Sequence, residues 1–169
     1  MNRIAFTFFI CWILMLSASC SSDDIDVNSS IIGSWKLTNY NIGVSVDIDK
    51  DDIENLNLLN ELNCSNNEIL IFESNGTVSS NDTFNPNIDI SKSNLNGDYV
   101  FYVECAEGVI GFATLYNTLN DDTVEFNDKP SAIIGNTLTR VFENVIEVYN
   151  EDFSEIIETK HLTLIYTKQ

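Results

Sequence analysis

The sequence predicts an all-β, mainly antiparallel fold from residue 31 onwards. Most apolar runs there are short, rich in β-branched and aromatic residues, and separated by Asn, Asp and Gly at the spacing of strands and turns. Apolar and polar residues alternate in the first strand, where Trp35 and Leu37 share one face. The alternation returns in the last strand, where Leu162, Leu164 and Tyr166 share one face. Antiparallel sheets that bury one face produce this pattern.

Two turns connect predicted strands. Residues 68–73 and 77–80 flank Asn75-Gly76, and they predict a hairpin because Asn-Gly tolerates the positive φ of a tight turn. Gly135-Asn136 precedes the apolar run from Thr137 to Phe142 and predicts a second turn.

One short helix is predicted between residues 51 and 62. Asp51 followed by Glu54 fits a capping pattern. Apolar residues then recur every third position and draw one stripe, at Ile53, Leu56, Leu59 and Leu62.

Two later runs, 99–103 and 109–116, are apolar on both faces. Such strands are either covered on both sides or face a lined cavity, and a cavity would be the ligand site. Residues 81–97 are rich in Asn, Asp and Ser around Pro86 and predict a mobile loop.

The N-terminus predicts a secretory signal peptide over residues 1–19. A short positive start at Arg3 precedes an apolar stretch from Ile4 to Leu16, which is too short to span a membrane. The small residues Ser17-Ala18-Ser19 before Cys20 resemble a bacterial lipobox. That resemblance implies acylation of the Cys20 thiol; an ordinary signal peptide with an incidental Cys is the alternative.

Residues 20–30 then form an acylated Cys and an acidic tether. Several acyl chains anchor a protein firmly, whereas one does so only marginally. Ser21-Ser22-Asp23-Asp24 resembles the export signals that send some lipoproteins to the outer face of the outer membrane. We therefore expect a lipid-anchored, surface-exposed protein, with a solvated linker on the periplasmic face as the alternative.

Composition excludes several classes of function. The chain has 169 residues and a formal net charge of −18, so it lacks the clustered Lys and Arg that nucleic acids and anionic lipid surfaces require. With a single His, the sequence offers few ligands for a transition metal and few candidates for a catalytic triad. Hydrophobic residues make up 44% of the chain, enough for residues 31–169 to form one packed domain.

Gly33-Ser34-Trp35 at the start of the first strand, with the β-rich chain that follows, resembles a lipocalin-like domain. The order of Gly33 and Trp35, then Cys64 before the Asn-Gly turn, then Cys105 is similar to lipocalin-like bacterial lipoproteins. The resemblance implies an up-and-down barrel whose closed end is plugged by Trp35. It also implies a small apolar or amphipathic ligand, since eight strands leave room for side chains or for one small ligand.

The leading hypothesis is a non-catalytic binding module with no cofactor. Its candidate cavity lining consists of Tyr99, Phe101, Phe112, Leu115 and Tyr116. The alternative is an accessory lipoprotein with a filled barrel, whose loops contact a protein or a glycan.

Cys64 and Cys105 are the thiols that remain once the signal peptide is cleaved and Cys20 is acylated. Because exported domains fold where disulfides persist, a structural bridge between them is expected, with two free buried thiols as the alternative.

Other motifs favour simpler explanations. Asp47, Asp49 and Asp51 alternate as calcium ligands do, but Asp52 stands where a turn needs Gly and Leu58 where a Glu should close the loop. Helix capping explains these residues better, and no metal is expected. Residues 122–124 resemble an O-glycosylation site but also fit a turn before a strand. Hydrolase motifs are missing from the sequence, so an enzyme is not expected.

Overall fold

The computed structural model describes residues 30–169, which form an eleven-stranded sheet with nearly all pairs antiparallel. The all-β prediction is confirmed. The parallel contact joins β4 to β10. The strands are β1 (Gly33–Asn41), β2 (Ile69–Phe72), β3 (Thr77–Ser80), β4 (Asn87–Lys92), β5 (Tyr99–Glu104), β6 (Phe112–Leu115), β7 (Asn117–Asn120), β8 (Thr123–Phe126), β9 (Lys129–Ile134), β10 (Thr137–Tyr149) and β11 (Ile156–Lys168).

The sheet is nearly closed into an up-and-down barrel. Its order runs β6-β3-β2-β1-β11-β10-β9-β8-β7. Tyr116 alone separates β6 from β7, so these two strands act as one bent strand that pairs with β3 on one side and with β8 on the other. The β4–β5 hairpin stands outside this ring and attaches to the far half of β10, at Val148 and Tyr149.

Alternation along the strands places the core inside the barrel. Trp35 and Leu37 of β1 are buried, as are Leu164 and Tyr166 of β11, which confirms the predicted faces. The rings of Phe72 on β2 and of Phe126 on β8 lie 5.5 Å apart although β2 and β8 are not neighbours. Side chains therefore meet across the interior, as expected for a barrel of this width.

The turn predictions are confirmed, with one difference in geometry. Four residues, 73–76, lie between β2 and β3, and only the last of them, Gly76, has positive φ (+84°). Gly135 takes φ +59° in the two-residue β9–β10 turn. A further two-residue turn, Asn127-Asp128, joins β8 to β9 with positive φ at both positions, a conformation that Asn and Asp tolerate.

The predicted helix over residues 51–62 is wrong in length and in face. A single 3-10 turn, Leu58–Asn60, is the helical element of this segment. Leu58 is its fully buried residue, whereas Ile53 and Leu56 of the predicted stripe are exposed. The backbone instead forms an isolated bridge between Val46 and Asn55, which diverts the chain before a helix can start.

The residues read as a helix cap form a turn. The Asp47 carboxylate accepts the backbone N–H groups of Asp51 and Asp52, and the Asp51 carboxylate accepts that of Ile53. Lys50 and Asp52 have positive φ. Carboxylates that bond nearby N–H groups offer the backbone an alternative to helix, and here that alternative prevails.

Two other local predictions are corrected. Residues 81–97 contain β4, because Ile88 and Ile90 alternate within the polar composition and Ile90 is fully buried. The strand over residues 99–103 has one face outward, with Tyr102 61% exposed, and Val109 and Ile110 lie exposed outside any strand. These runs are therefore not covered on both faces.

The predicted signal peptide, Cys20 and most of the predicted tether lie outside the described residues. Within residues 30–169, no helix has the length and apolar character needed to cross a membrane.

Candidate functional site

A buried polar network occupies the barrel interior. Glu68, which precedes β2, accepts a hydrogen bond of 2.7 Å from the Tyr166 hydroxyl and one of 2.9 Å from the Phe84 backbone N–H. The Arg140 guanidinium lies 3.8 Å from the Phe126 ring centre and donates to the Phe126 carbonyl at 3.2 Å. Burial raises the pKa values of Glu68 and Tyr166 and lowers that of Arg140.

This network was missed at the sequence level, although the strand periodicity signals it. Glu68 has the parity of the buried Leu70 and Phe72, and Arg140 has the parity of the buried Leu138. Each charged residue therefore points inward with its apolar neighbours. Both side chains are buried, so the network lies away from solvent.

Trp35 is fully buried at one end of the barrel. Its indole N–H donates to the Ile31 carbonyl at 2.8 Å, and Lys168 Nζ lies 5.4 Å from the ring centre. The Arg140 guanidinium stacks on the Phe126 ring and not on Trp35. Large side chains thus fill this end, and an opening for a ligand has to be sought elsewhere.

The Cys64–Cys105 disulfide confirms the expected bridge. Its two Cα atoms lie 5.4 Å apart, and the cysteines are separated by 41 positions in sequence. The bridge ties the segment after the 3-10 turn to the residue that follows β5. It therefore fixes the distance between two parts of the chain that share no ladder.

A cleft of about 770 Å³ opens between these two parts, and we call it the β5 cleft. Its volume lies within the range of about 300–1,000 Å³ that ligand pockets span. Apolar lining comes from Ile48, Leu62, Phe101 and Val103, together with the disulfide. Polar lining comes from Asp49, Asn60, Glu61, Asn63 and Tyr102. A smaller cleft of about 350 Å³ lies beside Cys64 and Cys105 and is lined by Phe84, Val109 and Ile110 among others.

The β5 cleft carries negative charge. Carboxylate oxygens of Asp47, Asp49 and Glu61 come within 4.8 Å of one another. Glu61 is buried and accepts hydrogen bonds from the Ile48 N–H at 2.7 Å and from Asn55 Nδ2. Asp47 and Asp49 of the alternating acidic residues thus converge with Glu61, and Asp51 is not part of this cluster. Among the described residues that line the cleft, none is basic.

The five candidate cavity residues lie in different surroundings. Phe101 lines the β5 cleft, and its ring lies 6.2 Å from that of Tyr99. Tyr116 belongs to the barrel core, and Phe112 is partly buried against it. Leu115 is 71% exposed and lines neither of the two clefts beside the disulfide, because its parity in β6 is opposite to that of Phe112.

Tyr99 also contacts an ion-pair cluster. Its hydroxyl donates to Glu158 at 3.0 Å, and Glu158 accepts from Lys160 at 2.6 Å and from Lys92 at 2.7 Å. Hydrogen bonds from Lys160 and Lys92 lower the pKa of Glu158 to about 2. The two lysines closest to Tyr99 therefore share one carboxylate.

An aromatic surface lies on the outer face beside β5. Phe153 sits between Tyr149 and Tyr102, with ring centres at 5.6 Å and 6.4 Å. Phe153 has φ +58°, an unusual conformation for a bulky residue, and its N–H donates to the Asn150 carbonyl. The turn between β10 and β11 thus holds the Phe153 side chain in a strained and partly exposed position.

Comparison with known protein families, curated proteins and solved structures finds no match to this chain. The lipocalin-like resemblance therefore stays a prediction from the residues.

Proposed function

We propose that the chain is a lipocalin-like lipoprotein that serves as a non-catalytic binding module. In this proposal Cys20 carries the lipid anchor and residues 21–30 tether the barrel at the outer face of the outer membrane. The signal-like N-terminus and the acidic tether support the location. Sealing of Glu68 and Arg140 inside the core supports a role without catalysis.

The β5 cleft is the proposed ligand site, and its size and apolar walls are the observation that carries the proposal. The interior at the Trp35 end is occupied by side chains, so a ligand would bind beside the barrel strands and not in its centre. Asp49 and Glu61 repel anions, hence the favoured small ligand is neutral or cationic and amphipathic. Fatty-acid anions fit this cleft poorly.

Calorimetric titration tests this proposal. We expect a long-chain alkyltrimethylammonium ion, held below its micelle concentration, to bind the mature protein saturably and more tightly than a fatty-acid anion of equal length. Phe101→Ala removes apolar lining and should weaken binding by at least fivefold. Leu115→Ala removes similar apolar bulk from an exposed position and should leave binding unchanged. Equal losses in both variants, or no saturable binding of either ion, would contradict the site.

A protein or glycan partner is the second candidate, and the aromatic surface formed by Tyr102, Tyr149 and Phe153 supports it. Tyrosine and other aromatic residues are enriched where proteins bind partners. Loss of binding to cells or to purified surface glycans in a Phe153→Ala variant, with small-molecule binding retained, would favour this function over the first, because Phe153 lies outside the β5 cleft.

A further inference from the structure

Strand β5 has a free edge that faces the β5 cleft. Within the described residues it pairs with β4 alone. The Ser93 N–H donates to the Asp98 carbonyl at the hairpin turn, so this pair is hydrogen bonded. Because bonded and non-bonded pairs alternate along an antiparallel ladder, Val100 and Tyr102 bond to β4. The backbone N–H and C=O groups of Phe101 and Val103 therefore point away from β4, toward the open edge.

The same two residues line the β5 cleft. On its opposite side lies the segment Asn60–Cys64, which the disulfide holds at a fixed separation from the end of β5. An unpaired strand edge is a template for a further strand, and natural proteins usually cover or charge such edges. Here the edge of β5 has no second strand beside it, and apolar side chains line part of the adjacent space.

The negative charge of the β5 cleft favours a positively charged segment. Asp49 and Glu61 line the cleft, Asp47 lies beside them, and the whole chain carries a formal charge of −18. An extended segment that alternates apolar and basic residues would place apolar side chains against Phe101 and Val103, and basic ones toward the carboxylates.

We propose that the β5 cleft binds an extended, positively charged segment of a partner protein as an added strand on β5. Backbone hydrogen bonds to Phe101 and Val103 supply affinity, and the carboxylates supply selectivity for basic residues. This assignment rests on the proposed function, namely binding at this cleft, and it names the class of partner.

The test uses the mature protein and synthetic octapeptides that alternate valine with lysine, glutamate or glutamine. We expect the lysine peptide to bind at least tenfold more tightly than the glutamate peptide at low salt. Amide hydrogen exchange, measured by NMR, shows which backbone groups of β5 the peptide covers. Saturation with the lysine peptide should slow exchange of the Phe101 and Val103 amides at least tenfold, with little change at Val100 and Tyr102, whose N–H groups already bond to β4.

A pair of variants separates backbone from side chain. Val103→Pro removes the outward N–H while sparing the ladder with β4, a placement that edge strands tolerate. It should weaken binding of the lysine peptide at least tenfold. Val103→Ala keeps the N–H and removes only apolar lining, so the further loss in the proline variant beyond that in the alanine variant measures the backbone hydrogen bond. For charge, Asp49→Asn should weaken binding, whereas Glu143→Gln, an equal charge change at an exposed site outside the cleft, should not.

Several results would overturn the inference. Binding of the lysine peptide without protection of the Phe101 and Val103 amides would rule out strand addition, and this readout holds even if the proline variant fails to fold. Protection that appears with protein concentration and no peptide would identify a second copy of the chain as the occupant. If the alkylammonium probe binds and no peptide does, the inference fails while the proposed function stands; if neither binds, both fail.

Discussion

Removing the Cys64–Cys105 disulfide should destabilise the domain by a predictable amount. The cysteines are 41 positions apart, so the closed loop contains about 40 residues. The chain-entropy treatment gives about 4 kcal/mol at 25 °C for a loop of that length. For a domain of this size, the loss corresponds to a fall in melting temperature of about 10–15 °C.

The assay is chemical denaturation of the oxidised protein and of a Cys64→Ala/Cys105→Ala variant, monitored by Trp35 emission. We expect the midpoint to fall and the m-value to rise, because the unfolded variant is no longer closed by a bridge and exposes more surface. Cys64 packs against the core, so the single variant Cys64→Ala, compared with Cys105→Ala, reports how much of the loss comes from packing. A loss in the double variant below about 1 kcal/mol would refute the entropic reasoning.

Three further predictions concern other parts of the barrel. A Cβ at Gly111 would lie 2.9 Å from the Ser80 carbonyl oxygen. Gly111→Ala should therefore lower the free energy of unfolding by about 1–3 kcal/mol through overpacking, as measured by urea titration. An unchanged free energy of unfolding would show that the backbone at the β3–β6 pair moves to accommodate the methyl group. Hydrogen bonding holds the pKa of Glu158 at about 2 in the folded state, below its ordinary value of 4.5. Its contribution to stability is therefore complete above pH 4.5 and lost as the pH falls toward 2, and Glu158→Gln should flatten that part of the stability profile relative to Glu143→Gln. Trp35 is the single indole downstream of Cys20, and its emission in the mature protein should be that of a water-shielded ring resistant to iodide quenching, whereas a solvent-exposed spectrum would contradict its position.

The strands and tight turns could be predicted from the sequence because each depends on local chemistry. Alternation around Trp35 and Tyr166, and glycine at positions 76 and 135, act within a few residues. The helix prediction failed because a three-residue apolar repeat also fits an irregular segment. There the Asp47 carboxylate and a bridge to Asn55 satisfy the backbone.

The candidate site could be predicted only in part. Phe101 and the disulfide were found because an aromatic in a strand and two leftover cysteines are visible in a sequence. Glu61 was missed, since the pattern of alternating Asp residues ends before it. The free edge of β5 has no local signal, because whether a strand is internal or at an edge depends on which distant strand lies beside it.

The unpaired edge of β5 and the Cys64–Cys105 disulfide affect the stability of the folded domain differently. A sheet edge that stays unpaired leaves backbone groups in water, which is energetically neutral for the folded domain but a hazard for association. The disulfide, in contrast, stabilises the fold wherever its two ends are joined, and its position beside β5 is not needed for that effect. The bridge also joins the segment Asn60–Cys64 to the residue after β5, with the two Cα atoms 5.4 Å apart, so both walls of the β5 cleft meet at the disulfide. In the proposed strand addition, the added segment would bond to the backbone groups of β5 that Asn60–Cys64 leaves unpaired, so the free edge is the feature that the lysine-peptide titration tests.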